Sequence, residues 1–437
     1  MEPTAAARAG NPPSAWKRLT FFLGLDWAKD HHQVLVLDHQ GSIRLDRRIE
    51  NNAQGWAGLR QALYELAGSD LTLVGVAIET SSGPVVERLL EMACTVFPLN
   101  PLAAQRYRQR HAPSGDKSDA LDARSFAQAL RHDGAQWRPL RPEDPLTQEL
   151  RLLCRDEVVL ITQRTALVNQ LQAALHEYYP AALEAFDDWT LPCACAFVEA
   201  FPTPKALAIA GKRRWNSFLH THKLYRPQTY EKRLDIFARA DQFAGSPAVT
   251  HAKSRLVLAL AKQLHALQAQ IQEYRQAIDD LFRNHPDHDI FGSLPAAGGK
   301  MGPRLLGECG SDPQRFEDPD ALRCYAGTAP VRFQSGQIHV VKFRRACNKH
   351  LRQAVHLWVN LSRSTCAWAE AYYQQKRKEG KSHACALRCL AQRWLKILWK
   401  MMQTRQPYDE ALHTRNQVRH GSWVLALPST NLTPVPA

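Results

Sequence analysis

None of the ten cysteines in the 437-residue chain forms a Cys-x-x-Cys pair. Cys193 and Cys195 have no matching Cys/His pair at zinc spacing. Cys385 and Cys389 stand one helical turn apart beside His383, a pattern better suited to buried helix-face thiols than to a metal site. Reduced cysteines point to a reducing cytosol, hence a cytoplasmic protein. No run of eighteen apolar residues occurs, which excludes a simple membrane-spanning helix, and the N-terminal stretch lacks the apolar core of a secretion signal. Acidic residues are missing altogether from Ala321 to Ala369, where eight Lys and Arg fall. A solvated basic face would keep some carboxylates. Complete loss over such a length favours contact with a nucleic-acid backbone, as do a net charge of +14 and a pI near 9.4.

Four acids stand out against this basic background. Asp26 closes the apolar run Phe21–Leu25, and Glu79 closes the run Leu71–Ile78. Asp119 and Asp122 sit three apart in a segment that reads as helix, which puts both on one face. Carboxylates gathered at strand ends repel one another unless a cation offsets the cost. A hard ion such as Mg²⁺, with Mn²⁺ as a substitute, takes a few carboxylates and leaves positions open for phosphate oxygens. Metal-dependent phosphodiester chemistry follows as the first hypothesis.

Strand signals at Phe21–Asp26, Val34–Asp38 and Ile43–Ile49 precede a helix near Trp56–Ala67, the strand ending at Glu79, a helix at Val85–Ala93, a strand at Thr95–Leu99 and the helix carrying Asp119 and Asp122. Three hairpin strands followed by alternating helix and strand predict an α/β RNase H-like fold with Asp26 and Glu79 on neighbouring strands. The prolines between Trp137 and Pro145 mark a domain boundary. A long helix over residues 146–178 follows, then a mixed helical insertion interrupted by Pro180, Pro192, Pro202, Pro204 and Pro227. Val257, Leu260, Leu264, Leu267, Ile271, Tyr274, Ile278 and Leu281 trace a heptad seam, suited to a hairpin with the 146–178 helix or to a coiled coil between protomers. The glycine-rich stretch Phe291–Pro303 reads as a turn ahead of helix Arg304–Cys309, resembling half of a helix-hairpin-helix DNA contact. Residues 1–18 and those after Gln403 read as flexible tails.

The two halves together resemble the insertion-sequence-110-type DEDD transposases, the bridge-RNA-guided serine recombinases. The resemblance rests on Gly24-Leu25-Asp26-Trp27-Ala28, Glu79-Thr80-Ser81-Ser82-Gly83, Asn100-Pro101, Lys117–Ala123, Phe316, Tyr325–Pro330, Ser335-Gly336 and Asn348–Arg352. It covers most of residues 20–132 and 290–402. The basic-Gly-Asn segment usual in the family reads Arg344-Arg345-Ala346-Cys347-Asn348 here, and the proline-glycine start of the C-terminal motif reads Pro295-Ala296-Ala297-Gly298-Gly299.

The resemblance implies a RuvC-like DEDD domain over 19–135, a helical coiled-coil arm with an insertion over 146–285, a mainly α transposase domain over 290–402 and a tail over 403–437. It implies that Asp26, Glu79, Asp119 and Asp122 hold Mg²⁺ and that Ser335 is a nucleophile forming a covalent phosphoserine link to DNA. It further implies donor and target DNA as substrates, a structured noncoding bridge RNA as guide, and homodimers assembling to a homotetramer, with one protomer's acids working beside another's serine. Arg332, Lys342, Arg344, Arg345, Lys349 and Arg352 are the expected nucleic-acid contacts. Read from the residues alone, Ser-Gly is a hairpin turn, and nothing in its spacing points to catalysis. A metal-only nuclease or junction resolvase remains the alternative.

Overall fold

The computed structural model describes residues 15–111 and 116–422. The chain divides into two compact units, Met1–Pro142 and Glu143–Ala437. Most of the expected N-terminal tail, residues 1–14, and residues 423–437 lie outside the described part.

In the first unit, β1 (Phe21–Trp27), β2 (His31–Leu37) and β3 (Ile43–Glu50) form an antiparallel meander. Helix α1 (Ala53–Ala67), capped by Asn52 accepting from the Gly55 amide, leads to β4 (Val74–Ile78). Then come α2 (Pro84–Glu91), β5 (Thr95–Pro98), α3 (Pro101–His111) and α4 (Asp119–Asp133). Strand order is β3-β2-β1-β4-β5, with β4 parallel to both β1 and β5. The apolar run before Glu79 is not all strand: Leu71–Leu73 make a 3-10 turn, because the Asp70 carboxylate accepts from the Thr72 amide and starts a turn there. The all-apolar β4 is buried along its whole length, as a central parallel strand must be.

Helix α4 covers one face of the sheet through Ala123, Phe126, Ala127 and Leu130, all fully buried. Its approach is set by Gly24 on β1. A Cβ there would lie 1.9 Å from the Ala123 carbonyl oxygen and 2.6 Å from the Ala127 amide nitrogen. Only glycine lets helix backbone and strand backbone come this close.

In the second unit, α5 (Pro145–Tyr178) and α10 (Pro247–Arg283) pack along each other. Glu177 pairs with Lys253 and Glu157 with Arg275, so the two helices run antiparallel. Six of the eight seam residues are buried, and α10 pairs with α5 as a hairpin within the chain. Between these helices lie α6 (Pro180–Ala185), α7 (Pro192–Ala200), α8 (Pro204–Thr221) and α9 (Pro227–Ala238) around an aromatic core of Tyr178, Tyr179, Phe186, Trp189, Phe197 and Phe237. Pro180, Pro192, Pro204 and Pro227, expected as interruptions, each begin a helix instead. Proline's fixed φ and missing N–H cost nothing at a helix start. No single helix among the described residues is long and apolar enough to cross a membrane.

The rest of this unit is α11 (His288–Gly292), α12 (Gly298–Cys309), α13 (Pro319–Tyr325), the hairpin β6 (Val331–Ser335) and β7 (Ile338–Lys342), α14 (Lys349–Ser362), α15 (Ala367–Lys378), α16 (His383–Thr404) and α17 (Glu410–Arg419). Trp358 and Trp394 stand at the centre of its core. Two expectations change here. Of the glycines of the supposed turn, Gly292 ends α11 and Gly298, Gly299 and Gly302 lie within α12, where Gly302 lets Phe282 pack against the helix at a distance that a Cβ would close to 2.8 Å. Residues after Gln403 are not wholly a loose tail: α17 is helical, and Tyr408 packs on the core with its hydroxyl accepting from Trp368 Nε1 at 3.2 Å.

Candidate active site

Leu25 pairs in parallel with Ile78, so Asp26 on β1 and Glu79, just past the end of β4, follow at the same end of the sheet. Ser118 caps α4 by accepting from the Leu121 amide, and this sets Asp119 and Asp122 in the first turn. Acids are stabilised there by the helix dipole whatever their function. Their neighbours show more than capping. Burial, followed by the charges of Asp122, Asp119 and Glu79, pushes the Asp26 carboxyl up to about 6. Burial and the Asp122 charge likewise raise Glu79. Asp26 therefore lies within the field of each of the other three expected acids.

Asp122 is 4% exposed, and Arg108 on α3 holds it. Arg108 Nη1 donates to both carboxylate oxygens, at 2.7 and 2.8 Å. Asp119 faces His31 Nε2 at 3.5 Å. Arg48 lies 2.7 Å from the other ring nitrogen of His31 and can only donate, so His31 accepts there and carries its proton toward Asp119.

Whether a divalent ion fits can be judged from the donors. Four carboxylates, two of them made weaker acids by burial and by their neighbours' charges, offer the hard oxygen donors that suit Mg²⁺ or Mn²⁺. Among the described residues, however, no three Asp, Glu, His or Cys side chains converge closely enough to form a ready cage. Asp122 is turned to Arg108 instead. The same finding removes the His383–Cys385–Cys389 pattern as a metal candidate.

Ser335 lies in the second unit as the last residue of β6, paired with Ile338 across a turn at Gly336-Gln337. Gly336 has φ +56°, the left-handed conformation that such a turn needs. Every residue of the hairpin is exposed. Lys342 stands 4.5 Å over the Phe333 ring, and Arg352 and Arg388 flank Phe343 at 5.1 and 5.0 Å. Arg332, Arg345 and Lys349 are exposed, whereas Arg344 donates to the Ala329 carbonyl. Asn348 caps α14 through the Leu351 amide while its own amide donates to Glu308 and Tyr325, so these motif residues brace the base of the hairpin.

Comparison with known proteins agrees with both halves. A family model described as Transposase, of the DEDD IS110 type, matches residues 23–180, and one described as Transposase IS116/IS110/IS902 family matches 288–374. The candidate mini-circle transposase of IS117 from Streptomyces coelicolor is 37% identical over 90% of this chain and 96% of its own. The chain belongs to the IS110-type DEDD transposases. A 42 kDa protein of insertion element IS900 from Mycobacterium paratuberculosis is 30% identical over 90% of this chain and 98% of its own. A 44.8 kDa protein of insertion element IS116 from Streptomyces clavuligerus is 28% identical over 89% and 96%. Membership makes this a DNA-processing enzyme that uses a divalent metal, and the mixed sheet with a largely helical second unit is consistent with an RNase H-like member.

Sequence reading missed α3 and its arginine on Asp122. The signal was present as Arg106, Arg108 and Arg110 in an acid-free stretch, but α3 is too polar for its period to show. Gly24 was quoted only as part of a motif. A lone glycine inside an apolar strand was the clue to close backbone approach.

Proposed function

We propose that this DEDD transposase cleaves and exchanges the DNA strands of its mobile element through a covalent phosphoserine intermediate. The observation that supports the reading is the parallel pairing of Leu25 with Ile78, which brings Asp26 and Glu79 to one end of a sheet in the RNase H-like (RuvC-like) order, where Asp26 also feels the charges of Asp119 and Asp122. These four carboxylates are the residues to hold Mg²⁺, or Mn²⁺ in its place. A divalent cation bound there supplies charge neutralisation at the scissile phosphate. The Ser335 hydroxyl forms an Oγ–P bond as the P–O bond to the leaving strand breaks. Its proton passes to solvent and the leaving oxygen takes one up, so the ester bond is conserved for rejoining. Exposure of Ser335 at a hairpin tip suits a nucleophile that must reach DNA, with Arg332, Lys342, Arg344, Arg345, Lys349 and Arg352 contacting backbone.

The reading extends to a bridge RNA that pairs with donor and target DNA, and to homodimers joining as a homotetramer in which the serine comes from a second protomer. The antiparallel α5–α10 pair then serves as a coiled-coil arm. The experiment is incubation of full-length protein with element-end DNA, the flanking noncoding RNA and Mg²⁺, followed by a denaturing gel. A protein–DNA conjugate that is lost in both Asp26→Ala and Ser335→Ala supports the reading. Cleavage that persists in Ser335→Ala assigns the chain to metal-only nucleases.

A further inference from the structure

Helix α3 has two faces, and only the inner one meets the acid site. Its inner face buries Ala104 and sends Arg108 to Asp122. Its outer face opens on a cavity of about 490 Å³ lined by Asn100, Leu102, Ala103, Arg106, Tyr107 and Arg110. Leu102 is 56% exposed, an apolar side chain left at the mouth. The half-buried Tyr107 ring is fixed by its hydroxyl donating to Asp133 at 2.9 Å and by edge packing on Trp137 at 5.9 Å. Asn100 secures the start of the helix by accepting from the Leu102 amide. Arg106 and Arg110 stand one turn apart on this face, both exposed. Residues 100–111 contain no carboxylate.

We propose that the outer face of α3 is a strand-binding subsite, in which Arg106 and Arg110 hold phosphates of the DNA strand flanking the acid site while Leu102, Ala103 and Tyr107 receive a sugar or base. The chemistry favours this occupant over a small anion. Two guanidinium groups in line match successive phosphodiesters, and an apolar floor with a fixed aromatic ring suits a nucleoside face. Arg108, on the same helix, ties the subsite to Asp122 of the acid site. A strand lying along α3 is thereby led toward Asp26 and Glu79. The proposal rests on the DNA-cleaving reading above.

The test is fluorescence anisotropy of full-length protein with labelled oligo-dT and with oligo-U of equal length, across a salt series and without divalent metal. Arg106→Ala/Arg110→Ala should lower the magnitude of the log–log salt slope on oligo-dT by about 1.4, about 0.7 for each lost phosphate contact. Arg106→Lys/Arg110→Lys should restore most of it, and an unchanged melting temperature shows that the fold is kept. A smaller slope on DNA, with or without a change on RNA, supports the subsite. An unchanged slope on both, or a change confined to RNA, overturns it. Because the assay needs no cleavage, a wild-type protein that fails to cut DNA while the variant pair still loses slope would remove the reaction and leave the subsite.

Discussion

Asp26 is the residue on which the chemistry turns. With its carboxyl pushed up to about 6 by burial and by Asp122, Asp119 and Glu79, it is protonated below that pH when no cation is bound. An incoming divalent ion must displace that proton, so apparent affinity should fall by up to about tenfold per pH unit below about pH 6 and level off above it. Trp27, 47% exposed beside Asp26, provides a fluorescence signal for the titration. Gly24 is the second decisive residue. Gly24→Ala would push a methyl into the α4 backbone, which has no flexible side chain to yield, and should cost about 3 kcal/mol or more in urea unfolding. At this scale the sequence was legible where chemistry is local. Asp26 and Glu79 end apolar runs and announce themselves, whereas Arg108 meets Asp122 only through tertiary packing of two helices.

At the scale of elements, the sheet was readable because alternation and apolar runs are strong signals, and the order of its strands followed from their connections. The helical insertion was less readable. Its prolines looked like breaks, yet Thr203-Pro204 and Ser246-Pro247 each pair a capping residue with a first-turn proline and mark helix starts. The buried Glu157 on α5 receives Arg275 of α10 and Arg304 of α12, so three elements share one carboxylate. Glu157→Ala leaves two guanidinium groups unpaired and should destabilise the second unit by about 3–5 kcal/mol in thermal or chemical unfolding. Asn348→Ala removes the cap of α14 and a donor to Glu308. It should cost about 1–2 kcal/mol, and it should impair covalent adduct formation more than DNA binding, because it loosens the base of the Ser335 hairpin.

At the scale of the whole molecule, the acids belong to one compact unit and the serine to the other. The family motifs were legible because they sit on both units in a fixed order. The outer face of α3 carried no motif and emerged only from the fold. The two-unit arrangement makes the proposed chemistry separable: removing an acid and removing the serine should each abolish strand transfer for different reasons. The most direct measurement is therefore a gel assay for DNA covalently bound to protein, comparing wild type, Asp26→Ala and Ser335→Ala in Mg²⁺ with element-end DNA and the flanking RNA. The account predicts a conjugate in wild type alone, released by protease as DNA bearing a peptide at residue 335. Free cleaved DNA from Ser335→Ala at the wild-type rate would contradict it.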